Sequence, residues 1–489
     1  MEQQKNEGQQ PEIKPAGKFI RIKPFALIMI LFITILATAG ITVLALTFGD
    51  KKVVEVVKVE REEFKNLYEA FDKLNNKYYK DLDSEELVNG AINGMFDAIE
   101  DPYTDYQDVE EAKSFNDSLS SSFEGIGAEI QERNGYIMIV SPIKNSPAEK
   151  AGLLPKDLVL AVDGESIKGF TANEAVLLIR GEKGTTVTLT VQRGEDTEPF
   201  EIVIKRDVIP IETVYGELDK DKVAHIQITS FSEATAEELS TILEDYKQQG
   251  MKGIILDLRQ NPGGYLIAAT DIASLFLEEG QTILQVQPKT GEPEIYTADG
   301  GDKYDLPLTV LIDEGSASAS EILAAAIVDN KRGEVIGVNS FGKGTVQTVE
   351  QLKDGSNLKY TNAKWLTPNG NWINEKGVAP TVEVKYPDYM KLTYIDPKKE
   401  LKEGSTGTSV KSAKGMLKAL GYNITEENEA FDRELTEAIK TYQTENKLEV
   451  TGVIVGDTTY SIMEKFQEYM EANDPMELKA KELLLSAKK

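Results

Sequence analysis

The sequence predicts a multidomain α/β protein, and three changes of pattern along its 489 residues lead to that prediction. Buried strands alternate with helices from about residue 208 to 386, which is typical of an α/β core. Short alternating strands with one helix occupy 119–207, and helices joined by glycine turns occupy 401–465. This length favours three or four domains, and 40% apolar residues are enough to form ordinary cores.

The composition excludes several classes of function. A formal net charge of −28 argues against nucleic-acid binding, which needs a basic face. The absence of cysteine excludes disulfides, thiol catalysis and cysteine-based metal sites, although it does not fix the cellular compartment. We therefore expect neither a metal nor another cofactor.

The N-terminal segment predicts a membrane anchor. Residues 1–24 form a polar tail with basic residues near its end, and 25–48 are 24 residues without a charge. As a helix they would extend about 36 Å, longer than the roughly 30 Å core of a bilayer. The basic flank should remain in the cytoplasm, which places everything after Asp50 outside the cell. A cleaved signal peptide ending at Ala37-Thr38-Ala39 is the alternative, but the apolar run continues nine residues further, which favours an uncleaved anchor.

Residues 50–118 predict a helical stalk or cap. An apolar stripe at helical spacing runs from Val56 to Leu74, and a second helix covers Glu85–Ile99. The stripe either packs on the following domain or forms a homodimer contact, and the sequence leaves both interpretations open.

The segment 119–207 carries a combination of turns and strands that resembles a PDZ domain. Its features are a glycine-rich loop, an Ala-Gly-Leu turn, an Asp-Gly hairpin and the helix Asn173–Arg180. The resemblance implies that the loop binds the terminal carboxylate of a peptide through backbone N–H groups while the peptide adds a strand. The loop residues are Gly125, Ile126, Gly127 and Ala128.

Arg180 ends the predicted PDZ helix. We expect it to be a solvated charge stabilised by the helix dipole. A second hypothesis is that it contacts the α/β core that follows and reports there whether the PDZ groove is occupied.

The pattern around Thr309–Ile312 predicts a strand-to-helix junction with a serine cluster. This β-branched run reads as a buried strand, and a helix should begin within Ser316-Ala-Ser318-Ala-Ser320. Ser318 with Glu321 fits a capping box. Free N–H groups at such a helix start can hold the oxyanion of an acyl-transfer reaction. These residues alone do not choose among the three serines.

A serine nucleophile needs a base. The single histidine, His225, lies in a predicted strand and is more typical of a structural residue. Lys343 is flanked by Gly342 and Gly344 and follows the apolar run 335–338, so burial could lower its pKa until a neutral amine accepts the hydroxyl proton.

The stretch SASASEI, followed by GKGTVQ, resembles the S41 family of carboxyl-terminal processing proteases. The resemblance implies that Ser318 is the nucleophile, Lys343 the general base and Gln347 the residue that orients the lysine. Asp329 lies on the same helix face as Ser318 but roughly 16 Å along the axis, which favours a supporting role.

The loop Arg259-Gln-Asn-Pro-Gly263-Gly264 follows a predicted buried strand and resembles the N-x-G-G loop of the same family. The resemblance implies that Gly263 or Gly264 supplies one oxyanion donor, and the N–H near Ser318 or Ala319 the other. The segments 365–370 and 377–380 also match the family pattern.

A phosphate-binding loop is the competing interpretation of 337–343, and we exclude it. Gly344 stands where that loop needs Ser or Thr, and 345–349 predicts a strand instead of the required helix.

The C-terminal part predicts a linker at 387–400, a helical domain at 401–465 and a charged helix at 466–489. The helical domain resembles the peptidoglycan-binding domain but departs from it at Ala413 and Lys414, where a larger apolar residue and glutamine are usual. Peptidoglycan is therefore an expected partner, and a structural appendage or dimer arm is the alternative.

Taken together, the resemblance implies a membrane-anchored, extracytoplasmic serine endopeptidase that cleaves proteins with unstructured C-terminal tails. A non-enzymatic envelope scaffold that binds tails and cell wall is the main alternative, and a hydrolase of small esters is another.

Overall fold

A computed structural model describes residues 22–48, 61–133, 135–194, 198–300 and 304–486, without the side chains of 41–48 and 117–119. The chain divides into two compact units, up to Leu87 and from Val88 onward, which are described separately. Most of the predicted cytoplasmic tail, and the start of the predicted stalk at 50–60, lie outside the described residues.

The first unit contains helices α1 (Pro24–Phe48) and α2 (Lys65–Lys77), with a 3₁₀ turn at Glu62–Phe64 between them. Within the residues that the structure describes, no helix has both the length and the apolar character required to cross a membrane, so the transmembrane prediction is not supported here. Helix α2 has no buried residue, and Leu67 and Leu74 on its apolar stripe are exposed.

The boundary between the units falls within helix α3 (Ser84–Asp97), and strand β1 (Asp105–Gln107) and helix α4 (Val109–Leu119) follow in the second unit. Asp108 caps α4, because its carboxylate accepts hydrogen bonds from two backbone N–H groups of the first turn at 2.9 Å. The sequence predicted only helices in this segment, so β1 is an addition.

An antiparallel sheet with two helices follows, in the segment predicted to be a PDZ domain. The strand order is β3-β4-β5-β7-β8, with β6 on β5, and the alternating strand β7 buries every second residue in the core. A separate pair, β2 and β9, joins the segment where the chain enters and leaves it. The bounds are β2 Ser122–Gly125, β3 Ala128–Arg133, β4 Tyr136–Pro142, α5 Pro147–Lys150, β5 Leu158–Val162, β6 Glu165–Ser166, α6 Ala172–Ile179, β7 Thr186–Gln192, β8 Phe200–Lys205 and β9 Asp207–Pro210.

The α/β core contains a six-stranded sheet in the order β10-β11-β12-β15-β16-β19, parallel except at β10. A second, antiparallel sheet has the order β1-β18-β13-β14, with β17 on β18. The bounds are β10 Val214–Leu218, β11 Val223–Ile228, α7 Thr235–Gln248, β12 Gly253–Asp257, α8 Leu266–Ser274, β13 Thr282–Pro288, β14 Glu294–Thr297, β15 Leu308–Ile312, α9 Ala319–Asp329, β16 Glu334–Gly337, β17 Thr345–Gln351, β18 Asn357–Leu366 and β19 Val382–Glu383.

Strands β12 and β15 are buried along their whole length, because both faces of the central sheet are covered. One face packs against α7, α8 and α9 in the largest apolar cluster. The loops at the carboxyl ends of these strands are where an open α/β sheet places ligands.

Helices α10 (Thr408–Ala419), α11 (Arg433–Glu445) and α12 (Asp457–Ala472) form a further apolar core. Lys414, one of the two departures from the expected pattern, is fully buried and bonds to Asp432 and Asn428 at 2.5 and 2.9 Å. Ile395, within the predicted linker, is also fully buried in this core.

The bounds of the predicted C-terminal helix at 466–489 are wrong. Helix α12 ends at Ala472, and Asp474 caps a separate helix, α13 (Pro475–Ser486). Met476, Ala480 and Leu484, spaced four apart, cover the second face of the central sheet against Val223, Ile255, Leu311 and Ile336. The charged residues of α13 hid this apolar stripe in the sequence.

Candidate active site

A cavity of about 690 Å³ lies where the loop after β12, the start of α9 and strands β17 and β18 meet. Ser318, Lys343, Gln347, Gly263 and Gly264 all line it, although they lie up to 84 positions apart in the chain. Trp365, from the segment 365–370 that matches the family pattern, also lines the cavity, as do residues that the sequence did not indicate as site residues, among them Phe115, Phe231, Ile267, Ile322 and Lys359.

The structure separates the three serines of the cluster. Ser316 and Ser320 are fully buried, and their hydroxyls donate to the carbonyl oxygens of Leu258 and Asn261 at 2.8 and 2.9 Å. Ser318 is the member of the cluster that lines the cavity. The two flanking serines therefore tie the start of α9 to the loop after β12.

Ser318 has a strained backbone. Its φ of 54° and ψ of −112° fall where residues with a Cβ are rare, and such a conformation costs about 1–3 kcal/mol. It lies at the sharp turn between β15 and α9, and its carbonyl already accepts the first helical hydrogen bond, from Ile322 N–H at 2.9 Å. A strained backbone conformation of this kind persists only where surrounding contacts hold the residue in place.

Glu321 provides those contacts. Its side chain is fully buried, and one carboxylate oxygen accepts from the backbone N–H groups of Ser318 and Lys343, both at 2.8 Å. The other oxygen accepts from the Ser340 hydroxyl at 2.5 Å and from Gly342 N–H at 2.6 Å. The sequence indicated Glu321 only as a helix-capping residue, whereas the structure makes it the link between the serine turn and the lysine loop.

Lys343 is half-buried, and burial is the main reason that its pKa lies below the usual lysine value. The positive charge of Lys359 lowers the pKa further, while Asp101 and Glu321 act in the opposite direction. Its ammonium nitrogen lies 4.8 Å from the centre of the Tyr103 ring. Among the described residues it makes no hydrogen bond to Ser318 or Gln347, and such bonds often shorten only when substrate binds.

Gln347 lies on β17, and its side-chain amide donates to Thr345 and Thr361 at 2.9 and 3.1 Å. Asp101 accepts from the same Thr361 hydroxyl at 2.6 Å. The turn that contains Asp101 and Tyr103 thus lies beside the site, which the sequence did not predict. The signal that was available was the Asp-Pro-Tyr-Thr break after a helix.

The structure distinguishes the two glycines that were predicted as alternative oxyanion donors. Gly263 lies against the serine turn, but its N–H donates to Asn261 Oδ1 at 2.9 Å, so in this structure it is not available to a substrate. Within the described part of the chain, the N–H groups of Gly264 and Ala319 donate no hydrogen bond. An Asn side chain that accepts a hydrogen bond from the N–H group two residues ahead forms an Asx turn. This local turn occupies the Gly263 N–H group.

Two other residues occupy supporting positions. Asp329 accepts from Asn369 N–H at 2.9 Å, in agreement with a supporting role. His225 contacts Asp219 at 3.3 Å and Glu477 of α13 at 3.6 Å, and it is not among the described residues that line the cavity.

The glycine-rich loop of the PDZ-like segment is held by its carbonyl groups. Gly127 O accepts from Ile143 N–H and from the Ser146 hydroxyl, and Ile126 O accepts from Ala148 N–H, all at 2.8–2.9 Å. Within the described ranges, no acceptor is recorded for the Ile126 and Gly127 N–H groups. The Arg180 guanidinium lies 4.7 Å from the ring of Phe123 on β2, the strand that enters the segment.

Comparison with known families assigns most of the chain. Residues 222–384 match Peptidase family S41, and 125–204 match the PDZ domain. Residues 46–111 match the N-terminal domain of the activating protease CtpB, and 406–463 match a putative peptidoglycan binding domain. The chain is 47% identical over 421 residues to the carboxy-terminal processing protease CtpA of Bacillus subtilis strain 168, covering 86% of this chain and 90% of that protein.

The chain belongs to peptidase family S41. It is therefore a serine endopeptidase of the carboxy-terminal processing type, and the family resemblance read from its sequence is confirmed. A probable CtpA-like serine protease of Staphylococcus aureus strain COL is 40% identical over 461 residues, which cover 94% of this S41 peptidase and 92% of the relative.

Solved structures show similar relatives. The photosystem II D1 C-terminal processing protease is 28% identical, with a TM-score of 0.40, over 66% of this chain and 87% of its own. The PDZ domain of a carboxy-terminal protease from Vibrio cholerae, solved with a peptide, is 34% identical with a TM-score of 0.18 and is covered over 99% of its length. That match spans 18% of this S41 peptidase.

Proposed function

We propose that this S41 peptidase cleaves proteins through a serine–lysine centre formed by Ser318 and Lys343. The observation that carries the proposal is the shared cavity, in which the one serine of the cluster that is not consumed structurally lies with a lysine whose pKa is lowered by burial. A neutral amine can remove the hydroxyl proton at ordinary pH, which an exposed lysine cannot do efficiently.

In the proposed reaction, Ser318 Oγ attacks the peptide carbonyl carbon as its proton passes to Lys343 Nζ. The N–H groups of Gly264 and Ala319 stabilise the negative oxygen that forms. Protonated Lys343 then transfers the proton to the leaving amine, which yields a free amino terminus and an acyl-enzyme. Water attacks the ester, again with Lys343 as base, and releases Ser318. Gln347 lies beside the lysine on β17 and would orient it during these transfers.

The test is cleavage of an unfolded protein with a free C-terminal tail by the purified full chain. Ser318→Ala and Lys343→Ala should each abolish cleavage, and Lys343→Arg should as well, because arginine keeps the charge but does not deprotonate. Equal cleavage by these variants refutes the proposed centre. Binding of tails without cleavage by the unmodified chain favours the scaffold alternative, and turnover of small esters alone favours the ester hydrolase.

We further propose that substrates are recognised by their C-terminal tails through the loop Gly125–Ala128. Its carbonyl groups bond inward to the turn at 143–148, an arrangement that would leave N–H groups to meet a terminal carboxylate. The same substrate with an amidated C-terminus should then bind more weakly and be cleaved more slowly. Equal cleavage of the free and amidated substrates removes this recognition mode.

For location, we propose that residues 25–48 anchor the chain in the cell membrane, with the catalytic part outside. The support is the uncharged segment after a basic tail, and the exposure of the described apolar side chains of α1. Protease added to intact cells should digest the domains beyond Asp50. Protection of those domains until the cells are lysed refutes this topology.

Peptidoglycan and a second copy of the chain are the remaining proposed partners. The match at 406–463 supports the first, and co-sedimentation of the full chain with purified cell-wall sacculi tests it. The exposed apolar stripe of α2 supports the second. Leu67→Glu should convert a dimer to a monomer in sedimentation velocity, and an unchanged mass refutes this interface.

A further inference from the structure

Strand β18 brings a second lysine into the active-site cavity. Lys359 lines the same cavity as Ser318, Lys343 and Gln347, at a position half-buried from solvent. Val349, which also lines the cavity, is its register partner on β17. Most of the Lys359 side chain is removed from solvent, with 20% still exposed, and its charge lies beside the cavity, so its location requires an explanation.

Two neighbours hold Lys359 in place. Its ammonium nitrogen lies 2.8 Å from Asp105 Oδ1, and Asp105 is its direct register partner on β1. That oxygen is buried and makes no hydrogen bond among the described residues, so the ammonium charge is what stabilises it. The ring of Phe115 on α4 lies 5.3 Å from the same nitrogen, within the range of a cation–π contact.

The charges around Lys343 are of both signs. Asp101 and Tyr103 face it from the turn before β1, Glu321 from α9, and Lys359 from β18. The two carboxylates already accept hydrogen bonds from other groups, Asp101 from Thr104 and Thr361 and Glu321 from four donors. Their negative charges still favour a protonated lysine, which would disable a general base. Burial opposes this effect because it disfavours the charged form of Lys343, and the positive charge of Lys359 acts in the same direction as burial.

We propose that Lys359 is a positioning residue for charge: it keeps the Lys343 amine in its neutral, proton-accepting form by placing a second cation in the active-site cavity. The proposal rests on the proposed function, in which Lys343 is the base. A neighbouring cationic group is a known way to activate an amine, because protonating the amine would then place two like charges in a poorly hydrated site. The decrease in the pKa of Lys343 that Lys359 causes agrees with this role.

The test compares variants of Lys359 that change its charge and its shape separately. Lys359→Met removes the charge and keeps most of the side chain, Lys359→Gln removes it with a polar group, and Lys359→Arg retains it. Lys353→Met is the matched control, since Lys353 is an exposed lysine in the turn between β17 and β18. Thermal unfolding identifies any variant that does not fold, and the other neutral variant then replaces it.

The first readout is the pH dependence of kcat/KM. Removing a like charge from the cavity favours the protonated form of the neighbouring amine and so raises its pKa. The acidic limb should therefore move to higher pH in the Met and Gln variants, and should stay in place for Lys359→Arg and Lys353→Met. A uniform decrease of kcat/KM at every pH would instead assign Lys359 to substrate binding and overturn the proposal. A limb that moves to lower pH would overturn it as well, because the effect would have the wrong sign.

The second readout does not depend on activity. In a Ser318→Ala background, the lysines are ¹³C-methylated and titrated by NMR, and the Lys343 signal is assigned by its loss in Lys343→Arg. An upward shift on Lys359→Met supports the proposal even if Ser318 proves not to be the nucleophile. An unchanged titration refutes it even if the serine–lysine centre is correct.

Discussion

Replacing Glu321 with glutamine separates its role as a link between the serine turn and the lysine loop from its role as a helix cap. The substitution keeps the shape and size of the side chain but replaces one acceptor oxygen with an NH₂ group. In the native site, each carboxylate oxygen accepts two hydrogen bonds, and all four donors belong to the serine turn or the lysine loop. Glutamine can accept only two of them.

The expected magnitude follows from the two donors that lose their acceptor. Glu321 is fully buried, so water cannot replace the missing oxygen. Each buried donor left unpaired costs about 1–3 kcal/mol, which gives about 4 kcal/mol for the two. If this cost raises the free energy of the arrangement in which the serine turn and the lysine loop are joined, the population of that arrangement decreases by about three orders of magnitude. The rate of acylation of Ser318 should decrease in the same proportion.

The assay is the rate at which a fluorophosphonate labels the serine, combined with hydrogen–deuterium exchange of the Ser318, Gly342 and Lys343 amides. Exchange should accelerate at these amides in Glu321→Gln, while the PDZ-like sheet remains protected. Glu314→Gln is the control, because Glu314 is an exposed carboxylate four positions before Ser318. Native labelling and native exchange in Glu321→Gln would refute the reasoning that this carboxylate holds the two segments together.

Three further predictions concern the oxyanion loop, the base and the last helix. Gly263 has a φ of 100°, and a Cβ there would lie 2.7 Å from Ala317 O and 2.8 Å from Ser318 Cβ. Gly263→Ala should therefore displace the loop that carries the Gly264 donor away from Ser318 and reduce kcat/KM by at least about 100-fold, the cost of losing one oxyanion donor. Gly280→Ala, with φ 81° but open space around it, should retain activity. The kcat/KM of the native chain should rise with pH to a midpoint below the roughly 10.4 of free lysine, because burial lowers the pKa of Lys343, and a midpoint at the free value would contradict this. Glu477 and Asp219 raise the pKa of His225 in the folded chain. The stabilisation that protonated His225 gives the folded state is therefore complete below the unfolded-state pKa of about 6.5, and it is lost as pH rises through the folded-state pKa. The difference in Tm between native chain and His225→Gln should therefore narrow with increasing pH, and a constant difference would exclude the linkage.

The sequence predicted those features that depend on local pattern. The strand Thr309–Ile312 and the helix after Ser318 follow from a β-branched run and an N-terminal capping signal, and both are present as β15 and α9. The choice of Ser318 over its neighbours came from the family resemblance. The structure supplies a physical reason for that choice, since buried carbonyl groups already engage the hydroxyls of Ser316 and Ser320.

Features that depend on distant pairing were not predictable. Tyr103 and Lys343 are 240 positions apart, and they meet only because β1 pairs with β18. The short strand β1 has three residues, too few to show a period. The occupied N–H of Gly263 is a different case, because Asn two positions earlier is a local signal for an Asx turn and could have excluded this donor.

The position of α13 in the chain has a consequence for the order in which the enzyme is made. Asp474, which caps α13, bonds to Arg259 at the start of the loop that carries Gly263 and Gly264. The apolar stripe of α13 covers one face of the central sheet. Helix α13 follows every other described element, so a growing chain exposes one face of that sheet until the roughly 100 residues after β19 are synthesised, which takes about 5–20 seconds. A nascent protease whose oxyanion loop still lacks this support should be inactive.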